Sequence, residues 1–310
     1  MTLQQLKYVI AVVNYGSISE GAKHLYISQP SLSNAVKELE KELGIEIFNR
    51  TPKGISLSSD GSEFLSYARQ VVEQANLLEE HYSSHKRTKQ LCSVSTQHYA
   101  FAVEAFVRML SQSNADSYEF TLRETRTSEI IDDVNNLRSE VGLIYINDFN
   151  EKVLLKLLKE NDLIFHPLFN AMPHVFISRN HPLAGETSVT IEMLEPYPFL
   201  SFEQGTNNSF YFSEEILSTT PRHKQIHVSD RATLFNLLGG LNGYTISSGV
   251  LGADINSDSI IAVPLETDEQ MLIGWIENSK VKLSNAAKAY VSTLKLVIKE
   301  YGCDMIEDES

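Results

Sequence analysis

The stretch SISEGAKHLYISQPSLSNAVKELEKELG, residues 17–44, decides how the first part of this chain folds. Ser17 and Glu20 form an S-x-x-E pattern that opens a short helix with Ile18, Ala22 and Leu25 on its buried face. After a turn through Tyr26 and Ile27, Ser28 caps a further helix. Its first turn tolerates Pro30, because a proline there loses no intrahelical hydrogen bond. The apolar stripe of this helix is Leu32, Val36, Leu39 and Leu43. Upstream, Thr2 caps a helix in which Leu3, Leu6, Ile10 and Val13 recur at helical spacing, and Gly16 terminates it. Two short helices joined by a tight turn, the second opening on small polar residues, suit insertion into a DNA major groove. Gln29, Pro30, Ser31, Ser33 and Asn34 open that helix, and their polar members carry donors and acceptors fit for base edges and phosphates. The same residues also suit a merely solvated helix face, so this helix does not decide alone.

The following residues favour DNA. Ile45, Ile47 and Phe48 lead into Arg50, the turn Pro52-Lys53-Gly54 allows a hairpin, and Ile55 and Leu57 resume the alternation. A wing of this kind, with Arg50 and Lys53 at its tip, holds flanking phosphates or reaches into the minor groove. From residue 59 to about 85, Phe64, Ala68, Val71, Ala75, Leu78 and Tyr82 form a heptad seam. A helix of that length spans about 40 Å, comparable with the ~34 Å between half-sites one DNA turn apart. The seam suits pairing with a second copy; packing on its own domain is the alternative.

The run Ser28-Gln29-Pro30-Ser31-Leu32-Ser33, then Leu39-Glu40, Leu43-Gly44, Phe48-x-Arg50-x-x-Lys53, Leu57 and Gly61, resembles the signature of the LysR-type transcriptional regulators over about residues 2–65. Two departures are mild: Gly21 stands where a small alanine is usual and Ser58 where threonine is common. Gly21 is expected to weaken its helix by up to about 1 kcal/mol. The resemblance implies double-stranded DNA as partner, self-association as a dimer or tetramer, RNA polymerase as a further contact, and a C-terminal domain that senses a small effector.

The net charge of −14 is that of a poor nucleic-acid binder until it is divided along the chain. Residues 1–58 carry Lys7, Lys23, Lys37, Lys41, Arg50 and Lys53 against Glu20, Glu38, Glu40, Glu42 and Glu46, so the acidic excess falls on the rest. A near-neutral head makes few phosphate contacts, and its affinity is expected to depend on paired heads. A chain of 310 residues exceeds what one core usually serves. No run of eighteen apolar residues and no leader-like start is seen, so a cytoplasmic protein without membrane contact is expected. Cys92 and Cys303 are far apart and outside any metal-ligand spacing, which suggests neither disulfide nor zinc. His81 and His85, and His223 and His227, lie four apart, but they read as surface histidines; no metal and no cofactor is expected.

Residues 1–58 are thus expected to form a winged helix-turn-helix domain and 59–90 a linker helix and hinge. Beyond it strands and helices alternate: strands near 91–95, 120–124 and 141–146, helices near 102–110 and 129–137, which argues for a mostly parallel α/β sheet. A second set follows, with strands near 175–178, 199–202, 226–228 and 244–247 and helices near 210–216 and 232–238, then a helix at 286–299 and a frayed acidic tail, 301–310. These sets resemble the two lobes of the family's effector domain (91–300), itself similar to a periplasmic binding protein: lobe one 91–161 and 269–300, lobe two 162–268. The overall fold class is α/β.

Ligands of open α/β sheets bind beyond the carboxyl ends of strands, where helix N-termini favour anions. Those positions hold Thr96, Gln97, His98 and Tyr99 after the first strand, Thr127 and Ser128 at the next helix, Asn147 after a third strand, and Phe202 and Glu203 in lobe two. Thr127 and Ser128 also read as plain helix caps. The Thr96-Gln97 pair resembles a segment of sulfur-regulating relatives, which implies a small anionic or zwitterionic effector, sulfur- or amino-acid-related. Glu203 would repel a simple anion and suits an amine-bearing one. An enzyme is not expected, since G-x-S-x-G, H-E-x-x-H and P-loop patterns are all lacking. The alternatives are a solute-binding or enzymatic α/β protein whose head does not bind DNA.

Overall fold

The computed structural model describes residues 1–51, 54–83, 90–113, 115–205, 209–252 and 259–306. The chain divides into two compact units, Met1–Arg87 and Thr88–Ser310.

In the first unit α1 (Leu3–Tyr15) is closed at both ends as its sequence dictates. Thr2 accepts the Gln5 N–H while the Gln5 side chain takes the Thr2 N–H, and Gly16 ends the helix in the left-handed region at φ 72. α2 (Ile18–His24) completes only half of its capping box: Ser17 accepts the Glu20 N–H, but the Glu20 carboxylate turns to Lys23 at 2.6 Å. Gly21 allows α2 to lie against α1, since a Cβ there would stand 3.3 Å from the Val12 nitrogen. α3 (Gln29–Leu43), capped by Ser28, buries Leu32, Val36 and Leu39. Leu43, expected on the same face, is 37% exposed because the helix ends there at Gly44.

β1 (Phe48–Thr51) and β2 (Gly54–Leu57) pair antiparallel from Phe48↔Leu57 to Thr51↔Gly54. One Glu40 carboxylate oxygen accepts the N–H groups of Ile47 at 2.9 Å and Phe48 at 3.0 Å, tying the hairpin base to α3. α4 (Ser59–Ser83) then runs about 37 Å. Its first half packs on the head: Ala68 is buried and Phe64 and Leu65 join the core of Val9, Val12, Leu32 and Val36. Those heptad positions are therefore occupied within the protomer, whereas Val71 and Leu78 are 49% and 60% exposed. The Tyr82 side chain lies outside the described residues.

The second unit holds two five-stranded sheets. In the first, ordered β4-β3-β5-β12-β6, β3 (Gln90–Thr96) runs parallel to β4 (Tyr118–Glu124) and β5 (Val141–Ile146). β12 (Met271–Asn278) returns antiparallel between β5 and β6 (Leu163–Ala171). In the second, ordered β11-β7-β10-β8-β9, β8 (Phe199–Phe202) is parallel to β9 (Gln225–Val228) and β10 (Tyr244–Ser247). β7 (His174–Ser178) is antiparallel to β10 and to β11 (Ile260–Pro264). Helices α5 (Ala100–Gln112), α6 (Thr127–Asn135), α7 (Glu151–Glu160), α8 (Ile191–Leu194), α9 (Arg231–Leu241) and α10 (Asn285–Glu300) complete the unit.

In each sheet four strands run in one direction, as expected of a mostly parallel sheet, and one, β12 or β7, runs against them. Two expectations are corrected. β6, expected in lobe two, hydrogen-bonds to β12 in the first sheet, so lobe one runs on to Ala171. The helix expected at 210–216 is only a 3-10 turn, Phe210–Phe212. The tail is also held as far as Ile306, whose N–H meets the Leu168 carbonyl at 2.8 Å along the open edge of β6.

Candidate DNA interface and effector cleft

In the head, the α3 residues named from sequence stand together at the helix opening. Gln29, Pro30, Ser31 and Asn34 are exposed and Ser33 is half-buried, with the Ser31 hydroxyl 2.7 Å from that of Ser28. The Arg50 side chain and all of Lys53 lie outside the described residues. Tyr26 was not foreseen as surface: it is 97% exposed at φ 55 in the turn that precedes α3. The only sequence signal for it was an aromatic residue in a turn, which burial statistics would place inside.

In the second unit, the loops after β3 and β4 meet segments of lobe two. Gln97, 1% exposed, uses its whole amide: Oε1 accepts the Tyr99 hydroxyl and the Tyr145 N–H, both at 3.0 Å, and Nε2 donates to the Thr127 hydroxyl at 2.6 Å. The buried Thr96 hydroxyl donates to the Gln97 carbonyl at 2.7 Å. Thr127 and Ser128 do not cap α6; the cap position is Arg126, without a side-chain bond to the helix. The Thr127 N–H is instead taken by Gln204 Oε1 of lobe two at 3.2 Å. The His98 N–H is taken likewise by Glu214 Oε2 at 3.0 Å, and the same oxygen lies 2.8 Å from His98 Nδ1. The His98 ring stacks on Phe202 at 3.7 Å, 4° from parallel.

A cavity of about 30 Å³ adjoins these contacts, lined by His98, Tyr99, Phe202, Glu214, Glu215 and Arg231 among others. Glu215 accepts the Phe202 N–H at 2.9 Å. Arg231 reaches Glu124 at 3.2 Å, and its Nη1 is buried with no hydrogen-bond partner among the described residues. Sequence had passed over Glu214, Glu215 and Arg231; their approach to His98 crosses more than a hundred residues and leaves no local pattern. Of the expected residues His98, Tyr99 and Phe202 line this cavity, whereas Thr96, Gln97, Thr127, Ser128, Asn147 and Glu203 do not. Asn147 donates to Glu269 at 2.9 Å and exchanges bonds with Asn150, which closes its own loop. Glu203 is paired at the rim with Arg126 at 2.5 Å, and the same guanidinium also pairs with Glu129 at 3.0 Å.

Burial alone would lower the pKa of His98, but the charge and hydrogen bond of Glu214, with Glu124 beyond, outweigh it and the Arg231 charge, and the imidazole is raised. Glu215 is pushed well above the usual carboxylate range by burial and then by the charge of Glu214. Both groups bind a proton more tightly folded than unfolded. Their stabilisation is therefore complete below the unfolded values and lost as pH rises through the folded ones. The melting temperature of the second unit is expected to fall as the pH rises above about 6.5, the ordinary histidine value. His98→Gln should flatten that decline in thermal unfolding followed across pH; an unchanged slope would refute the assignment.

Among the described residues no cluster of three His, Cys, Asp or Glu side chains suits a metal, and no helix is long and apolar enough to cross a membrane. His227 sits on β9 with Nδ1 3.0 Å from the Ser201 hydroxyl, so the His223–His227 spacing is not helical; His85 lies outside the described residues. Cys92 is buried and its thiol pushed up to about 12 by burial and then by Glu140.

Residues 3–62 match the family described as bacterial regulatory helix-turn-helix protein, lysR family, and residues 95–295 match the LysR substrate binding domain. Similar proteins include a RuBisCO operon transcriptional regulator of Allochromatium vinosum, 23% identical over 274 residues and 86% of each chain. Another is the HTH-type transcriptional regulator CysL of Bacillus subtilis, 27% identical over 259 residues, 81% of this chain and 82% of that one. Among solved structures, full-length CbnR complexed with its target DNA aligns at a TM-score of 0.52 with 18% identity, over 96% of this chain and 100% of that one. An OxyR variant of Corynebacterium glutamicum aligns at 0.52 with 17% identity over 96% and 93%. These likenesses show a shared fold, and with the two family matches the chain belongs to the LysR family: it is a DNA-binding transcriptional regulator with a substrate-binding domain.

Proposed function

We propose that this regulator reads specific DNA sites through Gln29, Pro30, Ser31, Ser33 and Asn34, with Arg50 and Lys53 on flanking phosphates. In this proposal it acts in the cytoplasm as a dimer or tetramer and answers to a small anionic or zwitterionic effector between the lobes of its second unit. Val71, Ala75 and Leu78, left over when Phe64 and Ala68 pack on the head, are the seam for pairing. RNA polymerase is the further partner.

One observation carries the effector proposal. Two backbone donors of lobe one, the N–H groups of His98 and Thr127 beside the starts of α5 and α6, are met by side-chain acceptors of lobe two. A ligand carboxylate can exchange for such acceptors without leaving a buried donor unpaired. The carboxylate of Glu214 nearby suits an amine on the same molecule, which favours amino-acid- or sulfur-related effectors.

Thermal-shift screening of the full chain against amino acids, sulfur-containing acids and aromatic acids tests this. Thr127→Pro, read against Thr127→Val, which lacks the same hydroxyl but keeps the N–H, removes one donor at the first helical position, where proline is tolerated, and Arg126 before it is already extended at φ −65, ψ 148. Ligands found in the screen are expected to lose their stabilising effect in the proline variant; an effect equal to that in the wild type would count against the cleft. For the head, footprints with Gln29→Ala should show weaker protection than with the wild type, and equal protection would sink the assignment of α3.

A further inference from the structure

The segment between the 3-10 turn and Leu217 belongs by chain order to lobe two, yet it is fastened to both lobes. Ile216 is buried in the core and Glu215 is bonded to the Phe202 backbone of lobe two. On the other side, the Tyr211 ring stacks on Phe149 of lobe one at 4.8 Å, and Phe212 packs against the lobe-one cluster of Ile130, Val134 and Ile144. Between these anchors Glu214 is delivered to lobe one with its side chain only 5% exposed.

A buried carboxylate is costly unless donors receive it. Glu214 has three: the His98 N–H at 3.0 Å, the His98 ring at 2.8 Å and Gln204 Nε2 at 3.3 Å. This donor set would receive any small carboxylate. Arg231 lines the cavity beside it, and its Nη1 is buried and unpartnered among the described residues.

We infer that Glu214 is a tethered competitor for the carboxylate of the effector, and that binding requires a carboxylate-bearing molecule to displace it from His98. This rests on the cleft proposed above. Displacement breaks the charged bond between the strap and His98 of lobe one, while Tyr211 and Phe212 keep their contacts there. Effector binding thereby removes one of the bonds between the lobes, beside Thr127–Gln204, Arg126–Glu203 and Arg231–Glu124.

The test is titration of the full chain with sodium propionate, with propionamide as the neutral control of the same shape, followed by calorimetry. Glu214→Ala should bind propionate saturably and at least about tenfold more tightly than the wild type, and should not bind propionamide. Glu214→Gln, which keeps the side-chain volume and hence the packing, should fall between the two. Propionate affinities equal in wild type and both variants, or propionamide bound as well as propionate, would overturn the inference. This outcome does not depend on whether the screen finds an effector, so the two proposals fail separately.

Discussion

Gly61→Ala is expected to unfold the DNA-binding head while leaving the second unit folded. A Cβ at this position would stand 2.0 Å from the Ile47 carbonyl oxygen, 2.8 Å from its carbon and 3.0 Å from its Cα. All three are backbone atoms, so no side chain can rotate out of the way. Ile47 cannot retreat either. Its side chain is fully buried, its N–H is held by Glu40 at 2.9 Å, and its carbonyl accepts the Ser58 N–H at 3.0 Å. On the other side, Gly61 lies in the first turn of α4, where its own N–H donates to the Ser58 hydroxyl at 2.8 Å. Relief would separate α4 from the hairpin base and open the core at Leu65 and Phe48. The expected cost is more than about 3 kcal/mol, in the upper range for one substitution. Hydrogen exchange should show loss of protection in α1 to α3 with protection in β3 to β5 intact, and DNA binding should vanish. Wild-type protection in the head would refute the argument.

The second large effect is expected at Gln97. Gln97→Met keeps the side-chain length but removes one acceptor and one donor. The Tyr99 hydroxyl and the Tyr145 N–H lose their shared partner, and the Thr127 hydroxyl loses its donor. Tyr99 and Tyr145 are both buried, so water cannot replace the bonds. Each buried group left unpaired costs about 1–3 kcal/mol, and the groups share one network, so their costs do not simply add. A loss of about 3 kcal/mol is expected in denaturant unfolding of the second unit, with the head's transition unchanged. A change below about 0.5 kcal/mol would show that the network bears little of the fold. The residue ties the end of β3 to β5 and to α6, so the same substitution should weaken any ligand held at the Thr127 N–H.

The head was legible because its determinants are local. Thr2, Ser17 and Ser28 cap helices whose first N–H groups lie three residues away, and Gly16 and Gly44 end two of them at φ 72 and 70. Spacing along the chain is enough to see such features. What spacing could not see was why Gly61 must be glycine, since the Ile47 carbonyl reaches it only after the hairpin folds back. Nor could it show that Ala68 faces the head's own core, because a heptad reads the same whichever apolar surface covers it.

The second unit was less legible for the same reason. Strands bounded by turns and flanked by helices, such as β5 and β8, stood out. β6, β11 and β12 did not, because a strand's sheet and direction depend on partners distant in sequence: Trp275 on β12 pairs with Leu143 on one side and His166 on the other. α7 carries Leu154, Leu157 and Leu158 at helical spacing, a signal present in the chain and passed over. The cleft divides likewise. Thr96, Gln97, His98, Tyr99 and Thr127 lie at strand ends and a helix start, places that rules of topology single out. Glu214 and Gln204 come to them from lobe two.

By itself, then, the sequence determined the helices of the head and their caps, since each depends on neighbours within a few residues. Tertiary structure alone decided that Gly61 must lack a side chain, that the strap carrying Glu214 touches both lobes, and that Glu203 pairs with Arg126. These are contacts between backbone and charge brought together across long stretches of chain, and no periodicity records them.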